Sequence, residues 1–285
     1  MGKYYYNKDY FDVIDTEDKA YWLGFLYADG CIMRSYRNGK LKAMNLQLTL
    51  CREDRSHLQK FLDNLNGNIE IKDRKSVAKG KEYFSSSINV CSTKMCRDLI
   101  NLGCTPQKTF NIRFPSDKIV PSRYKKDFLR GIFDGDGCIS TSKDDSRIEV
   151  TFTGVFDMIK DISDFLKAEK ILRTHPKIYS DKRSHGASFY IYGKDTIKEF
   201  LDYIYAGATV YLERKYQKYL SFYEGYDVKK EKRGVHFDNC NNVYVSTIYI
   251  NGKRISTRHK NIDDAITVRK QAEIEKMNSL NCQRN

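Results

Sequence analysis

Two aspartates occupy the same place in a segment that the chain carries twice. Asp29 lies near the end of YWLGFLYADGCI, residues 21–32, and Asp136 near the end of FLRGIFDGDGCI, residues 128–139. One aspartate before a glycine is commonly a structural helix end, but two copies with the same flanking letters favour a functional pair. Carboxylate oxygens are preferred ligands of Mg²⁺, so the pair predicts metal-assisted chemistry.

The apolar run before each aspartate predicts a helix with small residues on one face. Gly24 lies four residues before Ala28, and Gly131 lies four residues before Gly135, a spacing that lets another backbone approach closely. Glycine inside a helix costs about 1 kcal/mol relative to alanine. We therefore expect the two helices to pack against each other through Gly24 and Gly131, because this contact compensates both glycines.

The ends of these helices put the aspartates in an unfavourable place. We expect Gly30 and Gly137 to stop the helices in the left-handed conformation. Asp29 and Asp136 then lie at helix C-termini, where the helix dipole disfavours a carboxylate by about 0.3–1 kcal/mol. Side-by-side packing brings both carboxylates to one end of the helix pair, and a divalent cation would offset their charge.

The repeat extends beyond the two aspartates, which are 107 residues apart. In the first half a basic connector at 33–45 precedes a predicted strand at 46–50, and a helix, a further strand at 83–90 and a second helix follow. The second half repeats this order between residues 140 and 207. Each half therefore reads helix–strand–strand–helix–strand–strand–helix, which is an α+β pattern.

Composition changes divide the chain into four predicted segments. We assign residues 1–115 and 116–226 to the two halves, 227–233 to a charged linker and 234–285 to a C-terminal module. The module contains the turn sequences DNCNN and NGK between short alternating segments, followed by a helix that begins near Asp263. We predict three strands and a helix for it.

The charge and the side-chain composition favour a polyanionic partner. The formal net charge is +13 and the chain has 21 tyrosines; lysine and arginine meet phosphates, and tyrosine adds flat contact area. No pair among the eight cysteines has CxxC spacing, which argues against a zinc site. No apolar run is long enough for a membrane span or resembles a signal peptide, so we expect a soluble, intracellular protein.

The two repeated motifs resemble those of a known family. The segments WLGFLYADG, residues 22–30, and LRGIFDGDG, residues 129–137, resemble the two LAGLIDADG motifs of single-chain homing endonucleases, and the resemblance extends over about residues 15–225. It implies a pseudo-twofold pair of αββαββα subdomains with the motif helices at their interface. The C-terminal module resembles an AP2-type DNA-binding domain, although Tyr244 stands where tryptophan is often found.

The resemblance implies a Mg²⁺-dependent endonuclease, with Mn²⁺ as another possible cation. Asp29 and Asp136 would each bind metal against one DNA strand, with the main-chain carbonyls of Ala28 and Gly135 as further ligands. The implied product is a staggered double-strand break in a long recognition site, as in the homing of a mobile element such as an intron. By position, the basic residue near each site would be Lys94 in the first half and Lys194 in the second. Asp54 is a candidate for ordering water.

The implied partner is double-stranded DNA, and we expect a monomer because both motifs lie in one chain. No membrane and no small-molecule cofactor are expected. The alternative function is nucleic-acid binding without cleavage, as an RNA maturase or a DNA-binding regulator of the same fold. The candidate DNA contacts are polar side chains on strands and connectors: Arg34, Arg37, Lys40, Lys42, Asn45, Gln47, Lys143, Arg147, Lys177, Lys182, Arg183, Lys253, Arg254 and Arg258.

Overall fold

The computed structural model describes residues 4–106, 112–141, 148–180, 186–231, 234–250 and 253–282. The chain divides into two compact units, residues 1–219 and 220–285. Both predicted halves lie in the first unit except for the last residues of the second half, and the predicted module lies in the second unit.

The first half of the larger unit has three helices and a four-stranded antiparallel sheet. The strand order in the sheet is β1-β2-β4-β3. Its elements are α1 (Glu17–Asp29), β1 (Gly30–Arg37), β2 (Lys40–Cys51), α2 (Arg55–Asn64), β3 (Lys72–Ala78), β4 (Lys81–Val90) and α3 (Thr93–Asn101).

The second half repeats this element order and this sheet topology. The strand order is β5-β6-β8-β7, again antiparallel. Its elements are α4 (Lys125–Asp136), β5 (Cys138–Thr141), β6 (Ile148–Val155), α5 (Phe156–Ala168), β7 (Tyr179–Ser180), β8 (Gly186–Ile191) and α6 (Lys194–Tyr205). The predicted α+β class is therefore confirmed, with the element order αββαββα in each half.

The region predicted as a basic connector, residues 33–45, is a β-hairpin instead. Strands β1 and β2 pair across it, and the turn residues Asn38 and Gly39 have φ values of 51° and 72°. A two-residue Asn-Gly turn matches the right-handed twist of the flanking strands and is the strongest short hairpin signal. The connector interpretation was wrong because charged residues near the turn conceal the apolar alternation.

A long helix, α7 (Glu213–Glu231), follows the second half. Its first turns pack on the larger unit, where Tyr216 and Tyr219 contact the ring of Tyr205. The predicted linker at 227–233 begins inside this helix. Its charged letters, DVKKEKR, are typical of a linker, but lysine and glutamate are also good helix formers.

Each sheet of the larger unit covers its core with alternate residues of its strands. Leu46, Leu48 and Leu50 of β2 are buried, as are Phe152 of β6 and Phe189 of β8. Helices α2 and α3 pack on the first sheet and α5 on the second. The residues between these buried positions form the opposite surface of each sheet, which we call the open face.

The smaller unit contains a three-stranded antiparallel sheet and a helix. Its strands are β9 (Val235–Asp238), β10 (Val243–Ile250) and β11 (Lys253–His259), in the order β11-β10-β9, and α8 (Ile262–Cys282) packs on β10. The Asn261 side chain caps α8 by accepting a 2.8 Å hydrogen bond from the Asp264 amide. In neither unit does the described part contain a helix that is both long and apolar enough to cross a membrane.

Candidate active site

Helices α1 and α4 pack against each other with their backbones in direct contact. A Cβ atom on Gly24 would lie 2.1 Å from the carbonyl oxygen of Phe128, and one on Gly131 would lie 2.0 Å from that of Tyr21. No side chain fits at either position. The contact that the small-residue spacing predicts is therefore present, with one glycine from each half.

The same packing brings the ends of the two helices together. A Cβ atom on Gly135 would lie 2.2 Å from the Cβ of Ala28 and 3.4 Å from Oδ2 of Asp29. Asp136, the next residue, ends α4. Asp29 is half-buried and Asp136 is exposed, so the structure puts both predicted acids at adjacent helix ends.

Gly30 and Gly137 do not adopt the left-handed conformation expected for them. Their φ values are −71° and −79°, with ψ values of 144° and 164°, so each is extended backbone that leads into a strand. Space explains the glycines: a Cβ would lie 2.6 Å from the carbonyl oxygen of Leu26 at the first and 2.1 Å from the Phe133 ring at the second. Each of the two glycines therefore lies at a tight transition from a helix to a strand.

The second motif contains another aspartate, Asp134, whose surroundings indicate a structural role. It is fully buried and accepts hydrogen bonds from the Tyr21 hydroxyl at 2.8 Å, the Tyr205 hydroxyl at 2.5 Å and the Leu212 amide at 2.7 Å. Three donors satisfy a buried carboxylate. Because Tyr21 belongs to α1, this hydrogen bond also ties the two halves together.

A buried lysine that the sequence interpretation missed caps α4. Lys215, in the first turn of α7, is 3% exposed and donates hydrogen bonds to the carbonyl oxygens of Phe133 at 2.6 Å, Asp134 at 2.8 Å and Gly137. These carbonyls belong to the negative end of the helix dipole. Burial lowers the pKa of Lys215 to about 8, against the opposing effect of Asp134.

Two other charged side chains act on the same lysine. Arg214 lowers the pKa of Lys215 and Asp29 raises it, each less than Asp134 does. The ammonium of α7 is therefore electrostatically coupled to Asp29 of the first half as well as to the end of α4. No sequence signal indicated this, because Lys215 lies 79 residues after Asp136 in an ordinary charged helix start.

We expect Lys215→Met to lower the free energy of unfolding by about 2 kcal/mol, because it leaves three buried carbonyl oxygens without their charged donor. Lys218→Met is the control: Lys218 is exposed and donates to one carbonyl, that of Ile139 at 2.8 Å, and should cost less than about 1 kcal/mol. Chemical denaturation measures both. An equal loss in the two variants would contradict the capping role.

The pH dependence of Lys215→Met gives a second readout. The folded-state pKa of Lys215, about 8, lies below the ordinary lysine value, so between these values the unfolded chain binds more protons than the folded chain. Stability from this group therefore rises with pH above about 8. The stability difference between wild type and Lys215→Met should widen from pH 8 to pH 10 in denaturation experiments.

The predicted basic residue of the first half, Lys94, lies among carboxylates. Its ammonium contacts Asp9 at 2.9 Å, Asp98 at 3.0 Å and Asp12, and these hydrogen bonds raise its pKa. Lys194 is half-buried as the first residue of α6. The catalytic roles of both lysines stay predictions, and the contacts of Lys94 tie the N-terminal segment to α3.

Asp54 does not have the environment of a water-ordering residue. It is 6% exposed, and its carboxylate accepts hydrogen bonds from Arg214 at 2.9 Å and from the thiol of Cys51 at 3.1 Å. Its position is explained by the ion pair with Arg214, which joins the start of α7 to the first half.

The sheet register separates the candidate DNA contacts of the first half. Asn45 and Gln47 alternate with the buried leucines of β2 and lie on the open face. Arg34 pairs with Met44, which is buried, so Arg34 lies on the opposite side of the sheet. Lys42 is exposed and lies at the register shift between the pairs Ser35↔Ala43 and Tyr36↔Leu41. Beyond a bulge, Arg37 pairs with Lys40 at the turn. These residues stay candidates: Asn45 and Gln47 are half-buried on the open face, whereas Arg34, Arg37, Lys40 and Lys42 are exposed.

Four of the five candidates of the second half, Lys143, Arg147, Lys182 and Arg183, lie outside the described residues. Lys177 is exposed, and its ammonium lies 5.0 Å from the centre of the Tyr179 ring.

The candidates of the smaller unit divide between two faces of its sheet. Arg254 pairs with Tyr249 and Arg258 pairs with Val245, so both arginines lie on one face, with Tyr249 57% exposed beside them. Lys253 pairs with Ile250 on the other face. Arg254 and Arg258 therefore form the better basic surface.

Comparisons with known proteins agree with this architecture. Residues 123–205 match the model of a LAGLIDADG-like domain, and no curated protein matches the chain. The structure is similar to that of the meganuclease I-SmaMI bound to uncleavable DNA, with a TM-score of 0.52, 13% identity and coverage of 75% of this chain and 90% of that chain. It is also similar to the LAGLIDADG homing endonuclease I-GzeII in complex with its DNA target, with a TM-score of 0.50, 11% identity and coverage of 75% and 91%. At these identities the similarity establishes that the chain has a meganuclease-like fold.

Proposed function

We propose that this protein is a site-specific DNA endonuclease that makes a staggered double-strand break by metal-assisted phosphodiester hydrolysis. The observation that carries the proposal is the pair of acids, Asp29 and Asp136, at adjacent ends of two helices that pack through glycine backbones. One acid comes from each half, so each would act on one strand of the duplex. The structures of I-SmaMI and I-GzeII named above were determined with DNA.

The donor set fits Mg²⁺ or Mn²⁺. It consists of oxygen atoms only, from two carboxylates and from main-chain carbonyls such as those of Ala28 and Gly135 in the last helical turns. No cluster of three or more His, Cys, Asp or Glu side chains suited to a metal occurs in the described ranges. Mg²⁺ commonly binds one or two carboxylates together with waters and substrate phosphates, so two acids suffice.

The bound metal would polarise the scissile phosphate, lower the pKa of the attacking water and neutralise the leaving oxygen. Asp29 and Asp136 would each hold the positive charge of the cation next to one of the two DNA strands. Lys215 would add positive charge at the end of α4 and keep that helix end rigid, because it is fixed by three hydrogen bonds. Lys94 and Lys194 remain candidates for stabilising the developing negative charge.

DNA would lie across the open faces of the two sheets. In the first half the open face has Gln47 between Cys31 and Asn89 in the register, and Asn45 beside Met33. Asn and Gln suit the edge of adenine in the major groove, whereas lysines suit phosphates. The smaller unit would extend the recognition site through Arg254 and Arg258, in the manner of an AP2-type domain.

The alternative function, nucleic-acid binding without cleavage, uses the same surface. This alternative does not require the two acids, because binding through phosphate contacts depends on lysine and arginine side chains. The chain has both acids in a costly position at helix C-termini, which favours the nuclease. We further propose that the break serves the homing of a mobile element.

The test is cleavage of a randomised DNA library. The full-length protein is incubated with the library and Mg²⁺, and the ends produced are sequenced; we expect one long target with staggered ends, and no product in EDTA. Tight, selective binding to DNA or RNA without any cleavage in Mg²⁺ or Mn²⁺ would instead support the maturase or regulator function.

A further inference from the structure

We propose that Tyr21 of the first half is a positioning residue for Asp136 of the second half, so that cleavage of one DNA strand depends on a hydrogen bond from the other half. This inference rests on the proposed function and deepens it, because it makes the two cleavage centres unequal. A buried chain of hydrogen bonds carries it, from His57 of α2 through Tyr21 of α1 to Asp134 of α4.

This hydrogen-bond chain runs in one direction. The Tyr21 hydroxyl donates its single hydrogen to Oδ2 of Asp134 at 2.8 Å, so the hydrogen in its 2.9 Å contact with His57 comes from Nε2 of the imidazole. Burial lowers the pKa of His57 to about 3, so at neutral pH the ring carries one hydrogen, and this contact assigns it to Nε2. All three side chains are buried, and in such surroundings successive hydrogen bonds strengthen one another.

The ring of Tyr21 is held independently of its hydroxyl. The guanidinium carbon of Arg130 on α4 lies 5.3 Å from the centre of this ring, and the Trp22 ring contacts it edge-on at a centroid distance of 5.2 Å. Tyr21→Phe should therefore keep the packing of α1 on α4 and remove only the hydroxyl. Oδ2 of Asp134 would then keep the Leu212 amide as its donor.

Asp134 passes the restraint on to the end of α4. Its Oδ2 accepts a 2.7 Å hydrogen bond from the amide of Leu212, one residue before α7 begins. Three residues later in the chain, Lys215 donates to three carbonyl oxygens within residues 133–137, a stretch that includes Asp136. Because these groups form one connected set, a lost donor at Oδ2 should shift the start of α7 and, with it, the helix end that carries Asp136.

The first half holds its own helix end by different chemistry. Tyr27 occupies in the first motif the position that Asp134 occupies in the second, two residues before the acid. The Tyr27 hydroxyl donates to the carbonyl oxygen of Leu102 at 2.5 Å, within its own half. The side chain at this position is thus tied to the first half at both helix ends, through Leu102 in α1 and through Tyr21 in α4. We therefore expect the centre at Asp136 to depend on both halves.

The test compares the cleavage rates of the two DNA strands. A duplex that carries the target selected with the full-length protein has a different fluorophore on each strand, and it is cut under single-turnover conditions in Mg²⁺. The variants are Tyr21→Phe, Tyr205→Phe and Tyr27→Phe, and each removes one hydroxyl. Tyr205 of the second half donates to the other oxygen of Asp134 at 2.5 Å, so Tyr205→Phe identifies the strand that depends on this carboxylate. The ratio of the two rates does not depend on the folded fraction, because unfolded protein cuts neither strand.

We expect Tyr21→Phe and Tyr205→Phe to slow the same strand by about tenfold or more and to leave the other strand within about twofold of wild type, because a displacement of about 1 Å near the chemistry can cost about 100-fold in rate. Nicked DNA should accumulate in both variants. Tyr27→Phe is the matched control, since it removes the same atom from the same helix. It should leave the strand that Tyr205→Phe slows at its wild-type rate.

A hydroxyl with a merely structural role would change the rates of both strands together. Equal slowing of the two strands by Tyr21→Phe would therefore overturn the inference while the endonuclease proposal stands. An unchanged ratio in Tyr21→Phe or in Tyr205→Phe would do the same, as would opposite strand preferences in these two variants, or slowing of the same strand by Tyr27→Phe. If the wild-type protein cuts no DNA in Mg²⁺ or Mn²⁺, the proposed function fails and the inference fails with it.

Discussion

Asp29→Asn and Asp136→Asn should each abolish double-strand cleavage, with a loss of about 10³-fold or more in the rate of double-strand product formation. Each substitution removes a carboxylate at one helix end that we propose as a metal ligand, and lost charge stabilisation at a hydrolytic site typically costs several kcal/mol of barrier. Any single-strand nicks that remain should fall on opposite strands in the two variants. Supercoiled plasmid carrying the selected target separates nicked from linear product.

The stability of these two variants should move in the opposite direction to their activity. An aspartate at a helix C-terminus opposes the helix dipole, so asparagine should leave the free energy of unfolding unchanged or raise it by about 0.3–1 kcal/mol. DNA binding should survive, because phosphate contacts dominate affinity. A loss of cleavage accompanied by unfolding would mean that the carboxylates are structural.

Asp63→Asn provides the matched control, because Asp63 is an exposed carboxylate on α2 that bonds only Gln59 among the described side chains. It changes the net charge by the same amount and should leave cleavage unaltered. Full double-strand cleavage by either motif variant would refute the assignment of Asp29 and Asp136 to the active site.

The repeated letters made the pair of helices and their acids predictable from sequence. Two copies of one segment with glycine at one spacing can satisfy both copies by one helix packing, in which Gly24 lies against the backbone of Phe128 and Gly131 against that of Tyr21. The reason for Gly30 and Gly137 was not predictable in the same way. Both a left-handed stop and a crowded helix-to-strand transition require glycine, and only the positions of Leu26 and Phe133 distinguish them.

Long-range contacts account for what sequence patterns missed at the site. Lys215 and Asp134 are chemically ordinary in sequence, and their roles depend on α7 and α1 meeting the end of α4. Lys94 was selected by its position after a strand, which gives no information on the three carboxylates around it. The turns Asn38-Gly39 and Lys79-Gly80 are sequence signals for two hairpins. The charged residues around them hide the alternation of the flanking strands, so the signal at residues 38–39 was interpreted as part of a connector.

Gly24→Ala and Gly131→Ala should be among the most destabilising single methyl additions in the larger unit. The added Cβ would lie 2.1 Å from a carbonyl oxygen at the first position and 2.0 Å at the second. Both neighbours are main-chain atoms that cannot rotate away, so the helices must move apart. We expect a loss of more than about 3 kcal/mol in the free energy of unfolding, despite the better helix propensity of alanine.

The matched control for these substitutions is Gly154→Ala in β6. There the added Cβ would meet only the Ile159 side chain, 3.5 Å away, which is an ordinary contact, so the change should stay within about 1 kcal/mol. Denaturant titration compares the three variants. Equal stability of all three would show that the helix pair tolerates separation, and the placement of Asp29 and Asp136 at adjacent helix ends would then no longer depend on the two glycines. If instead only the interface variants lose stability, and cleavage falls in the fraction that stays folded, the glycines hold the acids at the separation that cleavage of both strands requires.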